Sequence, residues 1–267
     1  MARLGLIAGN GNFPLLLAQS YKKNPANEIV AVGFKGDTSS ELQNTVDHFE
    51  WVGVGQLGRI IKIFNTRNIT EALMAGQITP TRLFDKIKFD FKGLSVFTRL
   101  KDKKADTIFT AVADELKKAG IQLLDSTTFI SDQLAQPGFL TRRPPNPDQS
   151  ADIEFGRHIA KELGRLDIGQ TIVVKGKAVL AVEALEGTNE TILRGGRLGK
   201  ADVVVIKTAK PHQDMRFDVP VVGAGTIETM IQAGASCLAV EAGQTLILDR
   251  DHVIDLANRH DITIVGF

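Results

Sequence analysis

The chain has 267 residues, enough for two domains or one large one, with an ordinary globular composition of 43% hydrophobic and 24% charged residues. A net charge of +1 excludes a global field that would draw nucleic acid, so any anion binding must be local. The single cysteine, Cys237, rules out a disulfide within the chain and fits a reducing compartment, and no apolar run nears the ~20 residues that span a bilayer.

In chain order, Leu4 to Ala8 reads as a first strand rather than a signal peptide, because it runs straight into the loop Gly9-Asn10-Gly11-Asn12. A helix is expected from Pro14 to about Tyr21, then strands at Ile29–Phe34 and Phe49–Val54, a helix at Leu57–Asn65 and a short strand at Ala72–Gly76. Ala105–Ala119 reads as a helix capped by Asp102 and stopped by Gly120, with a strand at Ile121–Leu124 after it. This β-α-β-α rhythm predicts a parallel sheet covered by helices. Gln136 to Ser150, with Pro137, Gly138, Pro144, Pro145 and Pro147, reads as an irregular junction between two halves. The second half is expected to be mixed α/β. Its helices are placed at Asp152–Gly164, Thr226–Ala233 and Val253–His260. Its strands are placed at Thr171–Val174, Val179–Ala184, Val203–Lys207, Val219–Val222, Cys237–Val240, Thr245–Leu248 and Ile262–Val265. The expected fold class is therefore α/β, a Rossmann-like N-terminal domain over 1–131 and a second C-terminal mixed α/β domain over 132–267.

The densest chemistry lies between Lys207 and Gly223, KTAKPHQDMRFDVPVVG, directly after an apolar strand. Charged residues at the end of a core strand are costly unless paired or bound to something. Alternation over Asp214 to Val219 predicts an extended chain with Asp214, Arg216 and Asp218 on one face. Two carboxylates on one face suit a divalent cation, and Lys207 and Lys210 suit phosphate oxygens; self-pairing of the charged face is the simpler alternative. Glu183, inside an apolar strand, needs a partner, a cation or a proton, and Glu186 follows it. Arg194-Gly195-Gly196-Arg197 reads as a basic glycine turn fit to cradle phosphate.

The loop from Gly9 to Pro14 sits between a strand and a helix, where Gly9, Gly11, Asn12 and the first-turn Pro14 suit close approach of a phosphate; a plain tight turn is the alternative. The pattern is GxGxxP, and no acidic residue ends the second strand, so a redox dinucleotide is disfavoured. Leu83 to Lys104 interleaves Phe84, Ile87, Phe89, Phe91, Leu94 and Phe97 with lysines and Arg99, a mixture suited to a surface near anionic lipid or to a half-buried segment with a lysine fringe. Cys237, inside an apolar stretch, reads as a small core residue. HExxH, Walker A, Ser-His-Asp and CxxC patterns are absent, and the five histidines are scattered, so a carboxylate-bound Mg²⁺ fits better than a His-rich two-metal site.

Together these segments resemble the two-domain UDP-2,3-diacylglucosamine pyrophosphatases of lipid A biosynthesis, the type unrelated to calcineurin-like enzymes. The likeness covers nearly the whole chain: IAGNGNFP, VGVGQLGRIIKIF and LMAGQITP in the first half, then LDIGQTIVVKGKAVLAVEALEGT, KTAKPHQDMRFDVPVVG and AVEAGQTLILDR in the second. One departure is Asn189 after Glu-Gly-Thr, where the family pattern has an aspartate; Glu186 is the alternative for any role it had.

The resemblance implies hydrolysis of the pyrophosphate to lipid X (2,3-diacylglucosamine 1-phosphate) and UMP, dependence on Mg²⁺ or another divalent cation, and a lipid substrate held between two domains. It implies catalytic roles for Asp214, Asp218, Lys207, Lys210 and Arg216, metal binding by Asp214, Asp218 and Glu183, and substrate contacts at Gly9, Gly11, Asn12, Pro14, Gly187, Thr188, Arg194 and Gln213. The partners expected are the lipid-linked UDP-sugar, the cytoplasmic face of the inner membrane in peripheral contact with a cytoplasmic protein, and a second copy in a homodimer; nucleic acid is not among them. The rival readings are a non-catalytic nucleotide- or lipid-binding regulator on the same plan and a nicotinamide oxidoreductase.

Overall fold

Short apolar runs become the strands of two larger sheets and a two-stranded pair in the computed structural model, which describes residues 2–78, 88–102 and 104–267. Its contacts gather the chain into two units. The first comprises Met1–Ile130 with a short return, Asp214–Asp218; the second comprises Ser131–Gln213 and Val219–Phe267.

In the first unit, strands β1 (Arg3–Ala8), β2 (Glu28–Phe34), β3 (His48–Val52), β4 (Glu71–Ala75) and β5 (Gln122–Leu123) form one sheet in the order β3-β2-β1-β4-β5. All four pairings are parallel. Parallel strands require crossovers, and helices α1 (Phe13–Tyr21), α2 (Leu57–Thr66), α3 (Phe91–Phe97) and α4 (Ala105–Lys118) lie between them in sequence. This is the doubly wound, Rossmann-like arrangement. Its core includes Val30, Val32, Phe34, Phe64 and Leu116, with no side chain among them more than 4% exposed. The cap expected from Asp102 is differently made: Lys104 occupies the N-cap of α4 without a side-chain bond, and the Asp102 carboxylate accepts from the Lys104 backbone N–H at 3.0 Å.

The second unit holds a six-stranded sheet. Its strands are β6 (Gly138–Phe139), β7 (Thr171–Lys175), β8 (Ala178–Val182), β9 (Val203–Lys207), β11 (Ala235–Val240) and β13 (Thr263–Gly266), in the order β6-β13-β11-β9-β7-β8. β9, β11 and β13 run parallel, whereas β7 opposes β9, β8 opposes β7 and β6 opposes β13. A separate parallel pair joins β10 (Val221–Val222) to β12 (Leu246–Ile247). Helix α5 (Pro147–Arg165) packs on one face, through Ile153 and Ala160 against Ile172, Val204 and Ile206. Helices α6 (Thr188–Gly199), α7 (Ala224–Ala233) and α8 (Arg250–Arg259) cover the other, through Ile192, Ile227, Met230, Val253 and Ala257.

Three expectations are corrected. The proline-rich junction is not wholly irregular, because Gly138–Phe139 joins the sheet and α5 begins at Pro147, five residues before Asp152. Asn146 and Gln149 make a reciprocal capping box there, and proline costs nothing in a first helical turn. Arg194-Gly195-Gly196-Arg197 is not a turn but lies inside α6. Its glycines allow close packing: a Cβ on Gly195 would come within 2.5 Å of Val173, and one on Gly196 within 2.2 Å of the Ala233 carbonyl. Finally, Asp214–Asp218 is a turn rather than an extended strand, with the Phe217 and Asp218 N–H groups both donating to the Asp214 carbonyl.

Candidate active site

Side chains alternate along β9: Val203 and Val205 enter one core, Val204 and Ile206 the other. The next residue, Lys207, is 7% exposed at the carboxyl end of this strand. Its Nζ donates to the Thr188 hydroxyl at 2.9 Å, and that hydroxyl donates to Glu183 Oε1 at 2.7 Å. Glu183 Oε2 accepts the Gln170 backbone N–H at 3.2 Å. Glu183 follows β8 directly rather than lying within the strand, though its N–H still reaches the Thr171 carbonyl at 2.8 Å. Thr188 opens α6 behind Gly187, which takes a positive φ of 84° and contributes no side-chain cap.

The connection after β9 is pinned from several sides. Lys210 Nζ lies 2.9 Å from the Asp167 carboxylate, and the Gln213 side-chain oxygen accepts the Lys210 N–H at 2.7 Å and Gln170 Nε2 at 3.3 Å. Glu241, just after β11, accepts the Ala209 N–H at 2.8 Å and pairs with Lys161 of α5 at 2.6 Å. Of the residues singled out by sequence, Glu183, Thr188, Lys207, Lys210 and Gln213 are thus brought into one polar group. Asp167, Gln170 and Glu241 were missed as members. The signal for Glu241 was available: like Glu183, it is an acid ending an apolar run. Arg194 is held elsewhere, donating to Glu186 and to the Val182 carbonyl at 2.8 Å. Hydrogen bonds from the turn backbone and from Arg194 hold Glu186 below the usual glutamate range.

In the first unit, the turn Asp214–Asp218 is fastened by Ser126. The Ser126 N–H donates to the Met215 carbonyl at 2.9 Å, and its hydroxyl lies 2.7 Å from the Arg216 carbonyl and 2.6 Å from that of Met74. Phe217 stacks obliquely on Phe109 with ring centroids 5.5 Å apart. Arg216 clasps Asp214 through two guanidinium nitrogens, at 2.9 and 2.6 Å. That bidentate contact, outweighing partial burial, lowers the Asp214 carboxyl pKa, and the same pairing raises Arg216.

The Gly9 loop follows β1, and the loop at Gly76 follows β4; these adjacent strands flank the point where strand order reverses, the usual ligand crevice of such sheets. The two loops are zipped together by Gly9 N–H to Ala75 O at 2.8 Å and Asn10 N–H to Gln77 O at 2.7 Å. Gly9 is required by this closeness, since a Cβ there would sit 2.4 Å from the Gln77 carbonyl. Gly11, with φ 77° and open space around it, and the exposed Asn12 face outward, whereas Pro14 is buried in the first turn of α1.

Part of the apolar-basic segment, residues 83–87 and 103, lies outside the described residues. In its described part, Phe91 is 89% and Leu94 49% exposed on α3. Cys237 is fully buried, and burial pushes its thiol pKa up to about 12, which suits a core residue and not a nucleophile. Among the described residues no three His, Cys, Asp or Glu side chains gather into a metal site, and no helix is long and apolar enough to cross a membrane. Mg²⁺ is commonly held by one or two carboxylates together with substrate phosphates, and the aspartates of the 214–218 turn have the oxygen chemistry for that mode.

Fold and side chains define an α/β protein of two units, one doubly wound, with charged groups collected at the carboxyl ends of parallel strands, where such sheets bind ligands. The family models for the LpxI N-terminal domain and the LpxI C-terminal domain match residues 3–133 and 136–265. A curated relative from Caulobacter vibrioides, the UDP-2,3-diacylglucosamine pyrophosphatase LpxI, is 32% identical over 278 aligned residues, covering 100% of this chain and 98% of its own. The chain belongs to the LpxI family.

Solved structures are far more distant. An FMN-dependent Ubix-like decarboxylase from Escherichia coli aligns at 12% identity over 45% of this chain and 96% of its own, with a TM-score of 0.21. The biotin carboxylase domain of a thermophilic 2-oxoglutarate carboxylase aligns at 14% identity over 65% of this chain and 35% of its own, with a TM-score of 0.24. Neither bears on the chemistry.

Proposed function

We propose that the chain is a UDP-2,3-diacylglucosamine pyrophosphatase, hydrolysing its substrate to 2,3-diacylglucosamine 1-phosphate and UMP in lipid A biosynthesis. The observation that carries this reading is the match to a relative of that activity along the full length of both chains. The site chemistry agrees with it. Hydrolysis of a pyrophosphate requires donors for non-bridging oxygens as negative charge develops, and a held water. Lys207, Lys210 and Arg216 are the donors. Arg216 holds Asp214 as its anion and so makes it a weaker base; the water-orienting role is assigned to Asp218 as the second carboxylate of the same turn, on its chemistry and not on its surroundings. Gly11 and Asn12, the outward-facing members of the first loop, are assigned to meet the nucleotide or sugar.

A divalent cation, Mg²⁺ by preference, belongs to this proposal; when bound to carboxylate and phosphate oxygens it neutralises charge on the pyrophosphate. Peripheral contact with an anionic bilayer belongs to it too. It is supported by exposed Phe91 and Leu94 on α3 with exposed Lys88, Arg99, Lys101 and Lys104 near them in sequence.

The test is incubation of purified protein with UDP-2,3-diacylglucosamine, with Mg²⁺ and with EDTA. Lipid X and UMP formed with Mg²⁺ and lost with EDTA support the proposal. Substrate bound but never cleaved under any divalent cation favours a binding regulator instead.

A further inference from the structure

Glu183 attracts notice as a carboxylate just beyond an apolar strand, yet both its oxygens are engaged by this chain itself. The geometry has a direction. An ionised carboxylate only accepts, so the one hydrogen of the Thr188 hydroxyl is committed to Glu183 Oε1. What Thr188 then presents to Lys207 is a lone pair, and an ammonium only donates. Thr171, whose hydroxyl is 3.4 Å from that of Thr188, is a second neighbour. The anchor of the chain of contacts is closely packed. Gly169 approaches the Glu183 backbone so closely that a Cβ would lie 2.0 Å from its carbonyl oxygen, and the Gln170 N–H is aimed by the same turn. The cation at the far end is 7% exposed, where an ammonium must be paired or hydrogen-bonded to be tolerated. The Lys207 side chain has four rotatable carbons, and its position in a reaction is only as defined as the groups that hold it.

We propose that Glu183 and Thr188 are positioning residues: the carboxylate orients the Thr188 hydroxyl, and the hydroxyl holds the Lys207 ammonium where the pyrophosphate charge develops. This assigns to Glu183 no metal and to Thr188 no direct substrate contact. It rests on the pyrophosphatase reading for the identity of the charge that Lys207 meets, but the hydrogen-bonded relay itself does not depend on that reading.

The variants are Thr188→Val, which keeps the shape and deletes the hydroxyl, Thr188→Ser, which keeps the hydroxyl, and Glu183→Gln, which removes the charge. Hydrolysis of UDP-2,3-diacylglucosamine is measured at varied Mg²⁺. Thr188→Val and Glu183→Gln are expected to lose about 10–100-fold in kcat, as outer-shell partners of functional groups do. Thr188→Ser is expected to recover most of that loss. The Mg²⁺ concentration for half-maximal activation should be unchanged in Glu183→Gln. A rise of about tenfold or more would make Glu183 a metal ligand and overturn the proposal, as would wild-type kcat in Thr188→Val.

A second readout is independent of turnover. Acetylation of Lys207 by a succinimidyl ester in the folded protein, followed by peptide mass spectrometry, should speed up several-fold in Thr188→Val and Glu183→Gln but not in Thr188→Ser. If the wild-type protein cleaves no substrate, the pyrophosphatase reading fails while this labelling pattern still supports the relay. Unchanged labelling in both disruptive variants overturns the relay whatever the activity.

Discussion

Two aspartates lie four residues apart in one turn. Asp214 is clasped by Arg216, so Asp214→Asn should loosen that arginine, whereas Asp218→Asn should strike the water-orienting role. The expectation is a fall in kcat of at least about 100-fold for Asp218→Asn with the melting temperature kept, the scale of a lost general base. Wild-type kcat in Asp218→Asn would move that role to another residue. Cys237 offers a contrast, because its thiol is buried with a raised pKa. Native protein should resist alkylation at pH 8, and Cys237→Ala should keep kcat while losing some stability. The charged residues near Lys207 were legible from sequence as a group, because ionic side chains at the end of an apolar strand demand partners. Self-pairing within Asp214–Asp218 was legible as the simpler alternative, and Arg216 does pair with Asp214; the turn that brings them together was not. Nothing in the order Asp-Met-Arg-Phe-Asp gives the turn away, since a period of two fits an extended strand. The turn wins because Ser126, 90 residues from Arg216, and the still more distant Phe109 supply its bonds and its packing.

Elements were legible where an apolar run was bounded by glycine or proline, as at α1 and α4, and less so where tertiary contacts override local pattern. The two glycines in the middle of α6 illustrate this. In isolation, Gly195-Gly196 between arginines reads as a turn, because glycine weakens a helix by about 1 kcal/mol each. In the folded protein the same absence of side chains lets α6 lie on Val173 and Ala233. Gly195→Ala should therefore destabilise by about 1–3 kcal/mol, the cost of overpacking, despite alanine's higher helix propensity. A melting curve shifted upward would refute the close-packing account. The start of α5 was hidden by its prolines for a related reason: the capping box of Asn146 and Gln149 makes Pro147 a first-turn residue, not a breaker. Asn146→Ala should cost about 1 kcal/mol, seen as a lower denaturant midpoint with kcat unaltered.

At the scale of the whole molecule, acid should unfold the protein through a few carboxylates with depressed pKa values. Hydrogen bonds from Lys118 and Lys92 to Glu115, joining α3 to α4, take its pKa from 4.5 to about 2 against an opposing push from burial. Asp47, held by Lys22 and the Ile29 N–H despite partial burial, and Asp214 shift in the same direction. Because the folded pKa is the lower one, the unfolded chain takes up the proton first as pH falls. The stabilisation is complete above about pH 4.5 and drains away towards pH 2. Thermal midpoints followed from pH 6 to pH 2.5 should decline over that window, and the decline should be shallower in Glu115→Gln. An identical pH profile in the variant would remove Glu115 from the explanation.

The five-residue return Asp214–Asp218 also sets an order of events during synthesis. A ribosome extends the chain from its N-terminus, so every strand of the first sheet emerges before the segment that completes its unit, and all of Ser131–Gln213 must be made in between. At ~5–20 residues per second that interval is on the order of ten seconds. Throughout it the nascent first unit carries the Ser126 N–H and hydroxyl and the Phe109 ring without Met215, Arg216 and Phe217 to meet them. The first half of the gene product therefore waits on the second, and a chain released early at the junction leaves an N-terminal fragment with its own seam open.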